Sequence, residues 1–202
     1  EGRFIYFNEE TPLPSILIKK ALFSVQLEQG EVMIKGSELT HQHWFRGKDS
    51  LINISSIDNG ELKLNSKFNL TPSGDFNANG KWLVKDRQLS NAQLTKSNTL
   101  TLSLSSAKLD GTGSFNFVNS EIIAANHLSL KQASYDGQAK SKITKLLLDT
   151  IKSLDSLTVE VGVNGELNKP SFTITSSLND ALTGAFKQQV AGKLGDFKQR
   201  LK

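Results

Sequence analysis

The stretch ELKLNSKFNLTPSGDFNANGKWLV, residues 61–84, decides the fold. Leu62, Leu64, Phe68 and Leu70 share one parity. After the turn signal Thr71-Pro72-Ser73-Gly74, the set Phe76, Ala78, Gly80, Trp82 and Val84 continues the beat of two. Side chains of a strand alternate between its faces, so this is a hairpin with one apolar face and one face of Asn, Lys, Ser and Asp.

The same beat extends in both directions. Upstream, Phe23, Val25 and Leu27 lead to Gly30, and Val32 and Ile34 lead to Gly36. Downstream, Leu100, Leu102 and Leu104 alternate with Thr99, Thr101, Ser103 and Ser105. Phe115 and Phe117 follow a turn expected at Asp110-Gly111, and Leu128 and Leu130 precede another expected at Asp136-Gly137. Turn signals this close leave no room for crossover helices, so the strands form an antiparallel meander rather than βαβ units.

Two segments change period. Ile143, Leu146, Leu147, Ile151 and Leu154 are spaced by three and four behind Ser141, a good N-cap, and predict an amphipathic helix near 141–154. Strand spacing resumes at Leu157, Val159, Val161 and Val163. A second amphipathic helix is expected near 178–201, from the stripe Leu178, Leu182, Ala185, Phe186, Val190, Leu194, Phe197 and Leu201, with Ser177 and Asp180 as its capping pair. The expected fold is therefore mainly β with two helices (α+β): an elongated, curved antiparallel sheet in one domain over residues 1–202, the terminal helix packing on it.

Composition excludes several classes. The chain has 202 residues with 24 Lys and Arg against 20 Asp and Glu, a net charge of +4, and it is rich in small polar residues: 23 Ser, 13 Thr and 15 Asn. With no Cys there is no disulfide framework, zinc-thiolate site or cysteine nucleophile. No apolar run approaches the ~20 residues that cross a bilayer as a helix. The aromatics Phe4, Tyr6, Phe7, Trp44, Phe45 and Trp82 are not interleaved with dense basic residues, which speaks against nucleic acid. A start at Glu1, with Met33 the single methionine, suggests a processed form or a module of a larger protein.

No catalytic template fits: there is no Gly-x-Gly-x-x-Gly, Walker loop, Gly-x-Ser-x-Gly or His-Glu-x-x-His, and no compact carboxylate pair. His41 and His43 would share one side of a strand, a spacing able to ligate a metal with His127 or a carboxylate as third ligand. A polar loop before Trp44 and Phe45 accounts for the same residues, so no metal, cofactor or catalytic residue is assigned and no enzyme activity is expected. Lys187, Lys193, Lys198 and Arg200 crowd the last helix and are the candidates for contact with a membrane or partner, unless they simply face water.

Residues 161–178, VGVNGELNKPSFTITSSL, read as strand, short connection, strand and helix start, with Pro170 at a strand entrance and Gly165 permitting a backbone twist. This run resembles the C-terminal signature of the AsmA-like family of Gram-negative envelope proteins, the group that includes TamB: a pattern close to Val-x-Gly-x-Leu-x-x-Pro, met here by Val163, Gly165, Leu167 and Pro170. The phrase from Gly74 to Trp82 looks like the repeated strands of the same family. The likeness covers roughly residues 157–202, is diffuse over 61–130 and is poor over the first 50. It implies a curved sheet with a greasy groove, a periplasmic protein held to the inner membrane by an anchor outside this chain, and a role in phospholipid handling or envelope assembly with envelope proteins as partners.

On that reading Leu64, Phe68, Leu70, Leu100, Leu102, Leu104, Phe115 and Phe117 would contact acyl chains. The alternative is a structural or protein-interaction domain in which the same residues are core beneath the two helices. Parity cannot separate them; the extent of helix cover can.

Overall fold

The computed structural model describes residues 13–27, 30–56 and 58–184. Within them the chain is mainly antiparallel β: nine strands in sequence order form one sheet, each paired with the next. They are β1 (Ile18–Leu27), β2 (Gly30–Leu39), β3 (Ser50–Ser56), β4 (Glu61–Leu70), β5 (Phe76–Lys96), β6 (Leu100–Val118), β7 (Glu121–Ala139), β8 (Ser156–Glu166) and β9 (Ser171–Ser176). Helix α1 (Lys142–Lys152) joins β7 to β8, and residues 177–184 are again helical.

The turns follow from local chemistry. Between β4 and β5, Gly74 takes φ +92° and its N–H donates to the Thr71 carbonyl, while the Thr71 and Ser73 hydroxyls donate to the Asp75 carboxylate. Between β6 and β7, Asn119 and Ser120 both have positive φ, the conformation of the two-residue hairpin turn that matches strand twist.

β5, β6 and β7 run for 21, 19 and 19 residues, about twice the length of their neighbours. At about 3.3 Å per residue β5 alone reaches roughly 65 Å. Register shifts at Val84/Arg87, Gln93/Thr95, Leu104/Ser106 and Ser106/Lys108 mark bulges, with Asp86, Asn91 and Gln132 at positive φ beside them. Such bulges bend and twist a ribbon while keeping its apolar side facing one way.

The main hydrophobic cluster lies on the far half of this ribbon. β8 begins at Ser156 opposite Lys131, so residues 132–139 of β7 have β6 on one side but no strand on the other, and α1 folds back there instead. Leu148 and Ile151 pack on Leu102, Leu104, Ala107 and Tyr135, flanked by Leu89, Ala133, Leu147 and Leu178. Ser141 caps α1 as expected: its hydroxyl accepts from the Thr144 N–H at 3.1 Å, and the Thr144 hydroxyl accepts from the Ser141 N–H at 3.0 Å.

Three local expectations are corrected. Asp110-Gly111 and Asp136-Gly137 lie inside β6 and β7 rather than at turns. Gly111 is there because the Trp82 ring and Leu128 occupy the space a Cβ would need, at 2.9 Å each; Gly137 is there because the Thr101 carbonyl and Leu148 press on it. The cap of the second helix is Ser176, whose hydroxyl accepts from the Leu178 N–H at 3.1 Å; Ser177 instead accepts from Thr158 of β8. Finally, His43 lies in a short 3-10 turn, His43–Phe45, and not on a strand.

Candidate functional site

Register assigns side chains to faces. One row across all nine strands reads Phe23, Ile34, Ile54, Leu64, Trp82, Gly113, Asn126, Val161, Ile174. The next reads Ala21, Gly36, Ile52, Ser66, Gly80, Phe115, Ala124, Val163, Phe172. Neither carries a charged residue. A third, from β3 to β9, adds Ser56, Leu62, Val84, Gly111, Leu128, Val159 and Ser176. This is the same face that α1 roofs farther along β5–β7, but here no described element covers it. Most of its side chains are half-buried by their neighbours, and at the two edges Phe23, Phe172 and Ile174 are 58, 63 and 64 % exposed. An unroofed apolar face of this extent is uncommon in a monomer and marks a contact surface.

Glycines flatten its centre. β5 and β6 exchange rings: Phe115 lies over Gly80, with its Cε1 2.7 Å from where a Cβ would stand, and the Trp82 indole lies over Gly111 and Gly113. A Cβ at Gly113 would overlap the indole nitrogen and the Asn126 carbonyl oxygen. The indole Nε1 donates to Asn126 Oδ1 at 3.0 Å, and Asn126 Nδ2 donates to the Val161 carbonyl at 3.1 Å. The only side-chain amide on the row is thereby satisfied, so the face stays apolar where it would otherwise expose hydrogen-bonding groups.

Beside this flat floor is an apolar hollow of about 410 Å³, within the range of small-ligand sites. Its walls include Ile52, Phe68, Phe76, Phe115, Phe117 and Ile122, with Ala78 among the lining residues and Leu167 from the β8–β9 connection. Phe68, Phe76 and Phe117 form a chain of tilted rings, 5.9 and 5.6 Å between successive centroids.

The β2–β3 connection closes that end. His43, 3 % exposed, meets the edge of Phe68 at 5.6 Å. Its Nδ1 accepts from the Leu70 N–H at 3.1 Å, so the proton sits on Nε2, 2.8 Å from Ser50 Oγ, which donates to the Glu38 carbonyl at 2.7 Å. Burial holds the His43 pKa below its usual value; nearby Asp49 acts the other way and His41 adds to the lowering. His43 is a neutral, fully bonded plug, while His41 is exposed. Among the described residues no group of three His, Cys, Asp or Glu could hold a metal ion, and no helix is long and apolar enough to cross a membrane.

The structure divides the eight acyl-contact candidates. Leu64, Phe68, Leu70, Phe115 and Phe117 belong to the open part of the face, and three of them line the hollow. Leu102 and Leu104 are 6 and 1 % exposed beneath α1, with Leu100 packed against them, so these three are core and form no open surface. Lys187, Lys193, Lys198 and Arg200 lie outside the described residues, as do Phe4, Tyr6 and Phe7. The register adds Ile52, Phe76, Ala78 and Ile122: Phe76 and Ala78 lie on the apolar parity of the 61–84 hairpin and Ile122 on that of Leu128 and Leu130, while Ile52 lies in β3, outside the alternating runs read from the sequence. No family model matches this chain, and comparisons with curated proteins and with solved structures find no match.

Proposed function

We propose that this chain is a non-enzymatic lipid-handling module whose open apolar sheet face receives phospholipid acyl chains. The observation that carries the reading is the extent of cover: among the described residues, α1 and the start of the second helix roof only the far end of β5–β7, leaving the charge-free rows of β1–β9 open. The alternative, a structural domain whose core the helices cover completely, would close that face. Acyl chains suit it because they need no hydrogen-bond partners, and the burial of their methylenes contributes about 0.8 kcal/mol each. Membership of the AsmA-like family, a periplasmic location, an inner-membrane anchor elsewhere in the full-length protein and contact with envelope proteins are part of the same proposal, resting on the motif at Val163, Gly165, Leu167 and Pro170.

Native mass spectrometry of protein purified from cells, together with uptake of a fluorescent acyl-chain probe, tests it. Co-purified phospholipid, probe uptake lost in Phe117→Asp and probe uptake kept in Ser55→Asp on the opposite face would support the reading. Absence of both lipid and probe uptake in the wild-type protein would reject it in favour of a structural or protein-interaction role.

A further inference from the structure

The opposite, hydrophilic face of the sheet carries a hollow of about 600 Å³ that the acyl reading does not use. Its floor is Ala125 on β7 opposite Gly162 on β8. In the same row stand Lys81, Ser114 and Thr173, and beside them run Thr112, His127, Glu160 and Thr175.

Gly162 is the informative residue. Gly36, Gly80, Gly111, Gly113 and Gly137 each have a neighbouring atom where a Cβ would clash, and Gly30 and Gly165 have positive φ. Gly162 alone among the described strand glycines has neither: the nearest atom to a Cβ there is that of Thr173, at 3.7 Å, an ordinary contact. Neither backbone nor packing calls for glycine, and a strand interior is stabilised by almost any side chain in its place. What its absence creates is the depth of the hollow.

The rim is chemically unspent. Lys81 and the hydroxyls of Thr112, Ser114, Thr173 and Thr175 make no hydrogen bond or ion pair among the described residues. Glu160 has only a loose contact, 3.7 Å, with His127 Nδ1. One ammonium, one carboxylate, the His127 imidazole and four hydroxyls surround a floor with no Phe, Tyr or Trp ring, which disfavours a stacked base. We propose that this hollow binds a saccharide bearing a single carboxylate or phosphate. Lys81 takes the anion in a charge-assisted hydrogen bond, Glu160 accepts from ring hydroxyls, and the Ser and Thr hydroxyls complete the contacts. The site lies on the other face and does not depend on acyl binding.

The test is an NMR titration of the full chain with galacturonic acid oligomers and glucose 6-phosphate, against maltotriose and inorganic phosphate. We expect saturable shifts of the Ser114, Ala125, Gly162 and Thr173 amides with at least one acidic sugar. Lys81→Gln should weaken that binding by roughly fivefold, the upper end for an exposed ion pair. Gly162→Val should abolish it with the far-ultraviolet circular dichroism of the fold retained; if that variant does not fold, Lys81→Gln decides. Equal shifts with inorganic phosphate alone, no shifts with either acidic sugar, or undiminished binding in both variants would overturn the proposal. Uptake of the acyl probe should be unchanged in Lys81→Gln whichever way the titration falls, so this site and the apolar face fail independently.

Discussion

Replacing Gly113 by Ala tests how the apolar floor is built. The new Cβ would fall on the Trp82 indole nitrogen and the Asn126 carbonyl oxygen, so both must move. The Trp82–Asn126 hydrogen bond at 3.0 Å is then lost, at about 1 kcal/mol. Lifting the indole off β6 adds an overpacking cost of about 2 kcal/mol. The better intrinsic strand energy of Ala returns about 0.8 kcal/mol. The net is a destabilisation of about 2 kcal/mol, or roughly 4–8 °C in Tm for a chain of this size. Gly162→Ala is the matched control: the same substitution in the neighbouring strand but one, with its nearest contact at 3.7 Å, should leave Tm unchanged or raise it slightly. Thermal melts by circular dichroism, with Trp emission reporting the indole environment, measure both. A Gly113→Ala protein that melts with the wild type and keeps its Trp emission would refute the account of these glycines as seats for rings.

Other outcomes follow from the same geometry. Leu104→Ala, at a 1 % exposed position under α1, should cost about 2–5 kcal/mol in urea unfolding, whereas Phe117→Ala on the open face should cost clearly less while reducing acyl-probe uptake. Ser141→Ala removes the hydroxyl that accepts from the Thr144 N–H, while the Ser141 N–H can still donate to the Thr144 hydroxyl, and should lower stability by about 1 kcal/mol, read in the same urea titration. The His43 pKa is lowered on folding, so the unfolded chain binds more protons once the pH falls below about 6.5. Its contribution to stability is therefore complete at neutral pH and declines in mild acid, with a slope of at most about 1.4 kcal/mol per pH unit. His43→Gln, which can accept from Leu70 and donate to Ser50 without titrating, should flatten that part of a stability–pH profile; an unchanged profile would show that another group sets it.

The alternation in residues 61–84 was enough to read the hairpin, its register of faces and, by extension, the meander, because one face of every strand meets the same requirement along its length. The helix behind Ser141 was legible from its cap and its three-and-four spacing. What the pattern could not show is where α1 lands. Leu64 and Leu104 both sit in runs where Leu alternates with polar residues, yet one faces an open surface and the other is sealed, because α1 folds back over the part of β7 that β8 does not reach. Asp110-Gly111 and Asp136-Gly137 read as turns because that dipeptide is a frequent turn signal; the rings and carbonyls that require those glycines come from residues such as Trp82 and Thr101, 29 and 36 positions away in sequence. The hollow on the polar face was invisible for a related reason: Ala125 and Gly162 become neighbours only through the β7–β8 register.

The central claim, that acyl chains lie on the open rows of the sheet, is tested most directly by methyl NMR with a phospholipid carrying a nitroxide on its acyl chain. The account predicts selective broadening of Ile52, Leu64, Ile122 and Val163, with Leu102 and Leu104 beneath α1 and the Thr173 and Thr175 methyls of the opposite face spared. Broadening spread evenly over both faces, or absent from those four residues, would contradict it.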